Sequence, residues 1–260
     1  MSKKKIIGGL MILTTYKYIY YQPEIMSEKD IMIEKKIDIN KVIKNIVKED
    51  IKLTPSFSIN TLEVKDKYEE ILDEILLTRD TKYWKALNEI SNTKSFFSDY
   101  FDNYITLKSI SHINASFEKV FDFLADPSNI LKYNKKIKNM EVYELKGDNS
   151  QFKLEYNIPF PFTNRELILD SKYYKSTDTA VIITTNSEKI NERKSKKCVT
   201  MDVKFGAYFI KKIKKNSLIL VNLSSFDFKG SLPSSAIIKK FSDNSYKLAD
   251  YLQNLESLKE

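Results

Sequence analysis

From residue 104 onward the chain alternates apolar and polar positions in run after run. YITLKSISHI, Tyr104 to Ile113, repeats with period two and reads as a strand. From Met140 the same period returns in MEVYEL, QFKLEYNI, LILDSKYY, AVIITTNSE, KCVTMDVKF, AYFIKKI and SLILVNLSSFDF. Short polar links join these runs, which predicts an antiparallel meander. Two interruptions have the period of a helix. FEKVFDFLAD, Phe117 to Asp126, puts Val120, Phe121 and Leu124 on one face, with Asn114 or Ser116 placed to cap it and Asp126-Pro127 to stop it. A second short helix is expected around Asn129 to Lys135. After Pro233, which belongs in a first helical turn, SSAIIKKFSDNSYKLADYLQNLESL has apolar residues at 237, 238, 241, 248, 249, 252 and 255, the spacing of a long helix.

Upstream the pattern is helical. Leu62, Ile71, Leu72, Ile75, Leu76 and Leu87 predict an amphipathic helical region that is broken at Asp80-Thr81 and ends near Trp84 to Ile90. Ile37 to Glu49 has apolar residues at 39, 42, 43, 46 and 47, and TPSFS, Thr54 to Ser58, reads as a linker. A meander cannot bury its concave face alone, and the C-terminal helix is the available cover. The expected class is α+β: a curved antiparallel sheet wrapped around a long C-terminal helix, with an N-terminal helical extension. Three segments follow: a targeting or anchoring stretch over 1–22, a charged extension over 23–58, and a folded domain over 59–260.

Apolar residues make up 42% of the 260, enough for a sizeable core. The net charge of +8 is compatible with nucleic acid, an anionic membrane surface, or compositional bias towards Lys, Asn, Ile and Tyr. No RNP signature, zinc-ligand spacing or helix-turn-helix is present, so nucleic acid is not an expected partner. The basic clusters Lys194, Lys196 and Lys197; Lys211, Lys212, Lys214 and Lys215; and Lys239 and Lys240 are candidates for contact with anionic lipid, or plain solvated strand ends and helix faces. One cysteine, Cys198, and one histidine, His112, provide neither an intrachain disulfide nor a metal or nucleophile–base set; both read as structural. No G-x-S-x-G occurs, and no catalytic residue, cofactor or metal is expected. Lys3, Lys4 and Lys5 ahead of IIGGLMIL fit a signal peptide or a short membrane anchor, although the run falls short of the about 20 residues a span needs. A frayed tail is the plain reading of the same stretch. The secretory pathway, the extracellular space or a membrane periphery is thereby favoured, with the cytoplasm as the alternative.

The loop IPFPFTNREL, Ile158 to Leu167, places two prolines and two phenylalanines between strands where Asn-Gly chemistry is usual. With ASFEKVFDFLAD and DFKGSLPSSAI it resembles the START lipid-transfer domains, which have a helix-grip fold. The resemblance spans about residues 60 to 258. The Pro-Phe-Pro loop is most similar to the phosphatidylcholine transfer protein branch, with Glu166 in place of the usual Asp. It implies a non-enzymatic carrier that binds one phospholipid in an internal apolar cavity and moves it between membranes; a monomer in transient contact with anionic membrane surfaces is expected. The alternatives are a helix-grip enzyme acting on a hydrophobic small molecule, or a lipid sensor or interaction protein with no transfer activity. The resemblance assigns a gate to Phe160, Pro161 and Phe162 with Ile237, Ile238 and Phe241. Packing of these side chains against the last helix is the structural alternative. It places Leu154 and Leu167 where aromatics would cage a choline, and Ile130 where an Arg would hold the phosphate. Tyr133, Tyr156, Tyr173 and Lys153 are the nearby substitutes. Arg165 needs a partner if buried, with Asp227 and Glu155 as candidates. Its role is then either a salt bridge from the loop base to the FDFKG corner or a head-group contact.

Overall fold

The computed structural model describes residues 36–38, 61–63 and 83–255, apart from 102 and 231. Strand β1 (Lys36–Asp38) pairs antiparallel with β2 (Thr61–Glu63). These six residues are extended, although helical runs were expected to begin there. The rest of those runs, the linker and residues 1–22 lie outside the described residues.

In chain order the main sheet begins with β3 (Lys85–Ile90), β4 (Thr93–Ser98) and β5 (Ile105–Ile113). Helix α1 (Phe117–Ala125), a 3₁₀ turn (Pro127–Asn129) and helix α2 (Ile130–Tyr133) follow. Then come β6 (Ile137–Lys146), β7 (Asn149–Tyr156), β8 (Arg165–Lys175), β9 (Thr179–Asn186), the short α3 (Ile190–Arg193) and β10 (Val199–Thr200). Strands β11 (Asp202–Lys214) and β12 (Ser217–Asp227) lead into helix α4 (Ser234–Gln253). The spatial order is β3-β4-β5-β12-β11-β9-β8-β7-β6, all antiparallel, with β10 adding a parallel pairing to the start of β8. Helices α1 and α2 occupy the crossover that carries the chain from β5 to the far edge at β6.

Residues Lys85–Ile90 are a strand, not the tail of a helix. Their apolar positions suit either period, and pairing with β4 through the Ser91–Asn92 turn decides the matter, with Ser91 at φ 50°. Strand β4, TKSFFS, is too polar in its first half to have announced itself. The two runs expected on either side of Gly206 are one strand, β11, bulged between Val203 and Phe205. Val199–Thr200 stand apart from it. Pro233 immediately precedes α4 and does not lie within its first turn.

The core divides in two. One cluster joins Phe117, Val120, Phe121 and Leu124 of α1 to Ile182, Leu220, Leu248 and Leu252. The other gathers Phe152, Leu154, Leu167, Leu169, Met201 and Val203 at the β7–β8 side. Helix α4 is held by its C-terminal half, where Leu248, Ala249 and Leu252 are 0–2% exposed. Burying a Leu contributes about 1.5–3 kcal/mol. In its N-terminal half Ile237 and Phe241 are only half-buried, because they face a space and not a core.

Candidate functional site

Between the concave face of the sheet and α4 lies a pocket of about 550 Å³. That is mid-range for small-molecule sites, which run from about 300 to 1,000 Å³. Alternation along the strands builds its wall. On β12, Leu220, Asn222, Ser224 and Phe226 share one face; on β8, Leu167, Leu169 and Ser171 do. The bulge in β11 shifts the parity so that Val203 and then Gly206, Tyr208 and Ile210 point the same way. The mouth is formed by Pro159, Phe160 and Phe162 from the β7–β8 loop and by Ala236, Ile237 and Phe241 from α4. Phe160 is 96% exposed, a phenylalanine held in solvent at the rim.

The Asn-Arg-Glu sequence after this loop fixes its base in three directions. Asn164 accepts from the Ile158 amide at 3.1 Å and donates to Glu155 at 2.9 Å, closing the loop on itself. Arg165, 3% exposed, donates to the carbonyls of Phe228 and Lys229, each at 2.9 Å, and to that of Thr163. Those first two carbonyls belong to the corner that leads into α4. Glu166 is fully buried and accepts from the Ser195 amide and the Thr200 hydroxyl, both at 2.8 Å. Lys153 lies 3.1 Å from its other oxygen. Neither expected carboxylate serves Arg165. Asp227 pairs with Lys229 at 2.7 Å and Glu155 with Lys138 at 2.9 Å. The tie to the FDFKG corner exists, through carbonyls and not through an ion pair.

Midway along the pocket the wall turns polar. Ser224, Gly206, Thr184, Ser171 and Ser150 are register partners on successive strands and cross the concave face in one row. Thr184 donates to Ser171 at 3.1 Å. In the next row Tyr208 sits opposite Asn222, and its hydroxyl lies 3.5 Å from that of Tyr133 on α2. Burial pushes the phenols of Tyr133, Tyr156 and Tyr208 up from the ordinary value, and for Tyr133 and Tyr156 the neighbouring Tyr208 adds to it. All three are therefore neutral hydroxyls over the physiological range. From α4, Ser245 reaches the pocket with a buried hydroxyl that has no hydrogen-bond partner among the described residues.

Of the residues the sequence singled out, Tyr133, Leu154, Tyr156, Leu167, Phe160, Phe162, Ile237 and Phe241 line this pocket together, and so does Ile130. Arg165, Glu155, Asp227, Tyr173, Pro161 and Ile238 do not. Glu155 and Lys153 alternate onto the opposite face of β7. Tyr173 lies past the closed end, edge-on to Phe121 at 5.0 Å. Cys198 sits in a bend before β10, half-buried near Glu155; burial, then the charges of Glu155 and Glu166, push its thiol up. His112 is exposed on β5. Lys211 leaves its basic cluster: it is 4% exposed and bound to Asp178 at 2.7 Å. The sequence reading missed Tyr208, Thr184, Asn222, Ser224 and Ser245. Among the described residues no helix is long and apolar enough to cross a membrane, and no group of His, Cys, Asp and Glu is placed to hold a metal ion.

A long antiparallel sheet curved around a C-terminal helix, with the pocket between them, is the START-like, helix-grip fold. The solved structures it resembles include START and StAR-related lipid transfer domains. Human STARD10 superposes with a TM-score of 0.63 at 15% identity, over 75% of this chain and 82% of that one. Human StAR-related lipid transfer protein 5 gives 0.61 at 16% identity over 72% and 92%. The lipid transfer and protein localization domain of human StarD13 gives 0.57 at 15% over 74% and 100%. At such identities the likeness is one of fold. No family model matches the sequence, and no curated protein does.

Proposed function

We propose that this chain is a lipid carrier, without chemistry on its ligand, that takes one lipid molecule from a membrane, shields its tails in the pocket and releases it to another. The observation that carries the proposal is a pocket walled by both apolar clusters whose mouth is a stiff, aromatic loop beside a half-buried helix end. A lipid with two acyl chains carries on the order of 30 methylenes, and at about 0.8 kcal/mol each their exposure to water costs more than about 20 kcal/mol. A wall that replaces part of the bilayer's apolar contact lowers that barrier. Phe160 at the rim suits insertion at a bilayer interface, where aromatic rings are tolerated. Lys136 and Lys240, also at the rim and exposed, suit an anionic surface, at about 1 kcal/mol per near-surface lysine. Lys214 and Lys215 stand at the other end of β11, roughly 40 Å of strand from Met201 in the pocket wall, and have no part in that contact.

The Pro-Phe-Pro loop favours a phospholipid ligand by its resemblance to the phosphatidylcholine transfer branch. Leu154 and Leu167, at the positions of the choline cage, bring only apolar surface to the wall, so the proposal rests on the tails and not on that head group. A monomer suffices for this cycle. The test is mass spectrometry of lipid extracted from the purified protein, together with transfer between donor and acceptor liposomes. Bound lipid and protein-dependent transfer are expected. A protein that carries no lipid and moves none between vesicles is not a carrier.

A further inference from the structure

The flank of the sheet opposite β3 carries a surface that the carrier reading leaves unused. Strand β6 closes that flank, and among the described residues it pairs with β7 alone. Its ten residues extend over about 33 Å, and the backbone N–H and C=O groups of its outer side meet no described strand. A free edge of that length is a template for another strand. Six large hydrophobic side chains are exposed among the described residues. Phe160 and Phe162 belong to the mouth, whereas Val142, 39% exposed, and Leu145, 60% exposed, belong to this edge. Leu131, also exposed, follows the 3₁₀ turn that packs beside β6.

Pairing with β7 fixes which way the edge residues point. Ile137, Met140, Val142 and Leu145 are register partners of Tyr156, Leu154, Phe152 and Ser150, which line the pocket. Asn139, Glu141 and Glu144 are partners of Glu155, Lys153 and Gln151, on the opposite face. Laid antiparallel on a second copy of itself, with Glu141 on the two-fold axis, the strand is self-complementary. On the pocket face Ile137 comes opposite Leu145 of the second copy, and Met140 opposite Val142. On the other face Lys138, which bonds to Glu155 at 2.9 Å, comes opposite Glu144 of the second copy. Bulges at Lys138 and Tyr143 lie on either side of the axis and leave Asn139 to Val142 regular. Glu141 meets its own copy, the one like-charge pair within the strand.

A two-fold axis perpendicular to the sheet reverses strand direction. The mouth lies at the end where β6 begins, because Ile137 pairs with Tyr156 and the mouth loop follows Tyr156. The two mouths therefore stand at opposite ends of the paired strands.

We propose that β6 pairs antiparallel with β6 of a second copy of this chain, so that one sheet runs through both copies and their mouths open toward two membranes at once. The pairing stands on the edge itself, and the bridging rests on the carrier reading. A carrier already seated on one membrane then holds its partner's mouth close to the other, which raises the effective concentration of the second contact.

The experiment is sedimentation equilibrium of the full chain from low to high micromolar concentration, together with light scattering from vesicles of phosphatidylcholine and phosphatidylserine and extraction of labelled phosphatidylcholine from them. A monomer–dimer equilibrium and protein-dependent clustering of vesicles are expected. Val142→Asn with Leu145→Asn, neutral changes at exposed positions, should weaken the dimer about tenfold or more and abolish clustering, while lipid extracted per molecule is kept. Glu141→Gln removes the like-charge pair and should tighten the dimer several-fold. A protein that is monomeric throughout, or a dimer that neither variant moves, overturns the pairing. A dimer lost in the Asn variant while clustering persists overturns the bridging. A dimer that behaves as expected but extracts no lipid overturns the carrier reading and leaves the pairing.

Discussion

Arg165 Nε donates to the carbonyl of Phe228 at 2.9 Å, and through that bond the base of the mouth loop is fastened to the corner that starts α4. The two sides of the pocket's opening are thus joined at the base of the loop. The guanidinium is buried and bonds to three backbone carbonyls, so its removal unties the loop base from the corner. Gly230 completes the corner: it stands at φ +72°, and a Cβ there would come within 3.3 Å of Arg165 Nη2.

Arg165→Ala is expected to lower unfolding stability by about 1.5–3 kcal/mol, since bonds from a charged donor that tie the loop base to the corner are lost. Lipid bound per folded molecule should be unchanged. Denaturant unfolding and lipid quantification read the two separately; wild-type stability with an empty pocket would make Arg165 a ligand contact instead.

Phe160→Ser should leave the melting temperature within about 2 °C of wild type, because a side chain 96% exposed has little packing to lose. Membrane association should weaken about ten- to a hundredfold, the share of a phenylalanine worth about 1.5–3 kcal/mol when buried in an apolar phase. Vesicle co-sedimentation and transfer rate measure this. Unchanged transfer would remove the ring from the docking step.

Gly206→Val tests the pocket volume without touching a hydroxyl. A Cβ at Gly206 would meet Thr184 Cβ at 3.6 Å, ordinary van der Waals contact, and a branched residue suits a strand. The variant should fold and unfold as the wild type does, and should bind several-fold less lipid because its methyls occupy the middle of the pocket. Full lipid occupancy would place the ligand elsewhere.

The Lys211–Asp178 pair sets an acid limit. Burial alone would raise the Asp178 carboxyl, but the hydrogen bonds from Lys211 and Thr179 outweigh it and hold the group below the ordinary range. A depressed native pKa contributes stability that is present above the unfolded value of about 3.9 and is lost as pH falls through the native one. The urea midpoint should therefore drop below about pH 4, and less steeply in Lys211→Met. Equal acid slopes in the two proteins would deny the pair this role.

Much of this was legible along the chain. Period two placed most of the strands, the 3.6 period placed α1 and α4, and the aromatic loop marked the mouth, because each of these signals is local. One further signal lay in view: in Leu218, Leu220, Asn222, Ser224 and Phe226 the inward face of β12 turns polar for two positions. Three things belonged to the tertiary structure alone. Lys85–Ile90 became a strand only because β4 was there to pair with it. The bulge at Val203/Phe205 brought Gly206 and Tyr208 onto the pocket face, a parity that no count along the sequence supplies. The hydroxyl belt exists because register aligns residues from five strands and lays two helices over them, and distances between segments so far apart in sequence are set by packing, not by the local pattern of any one of them.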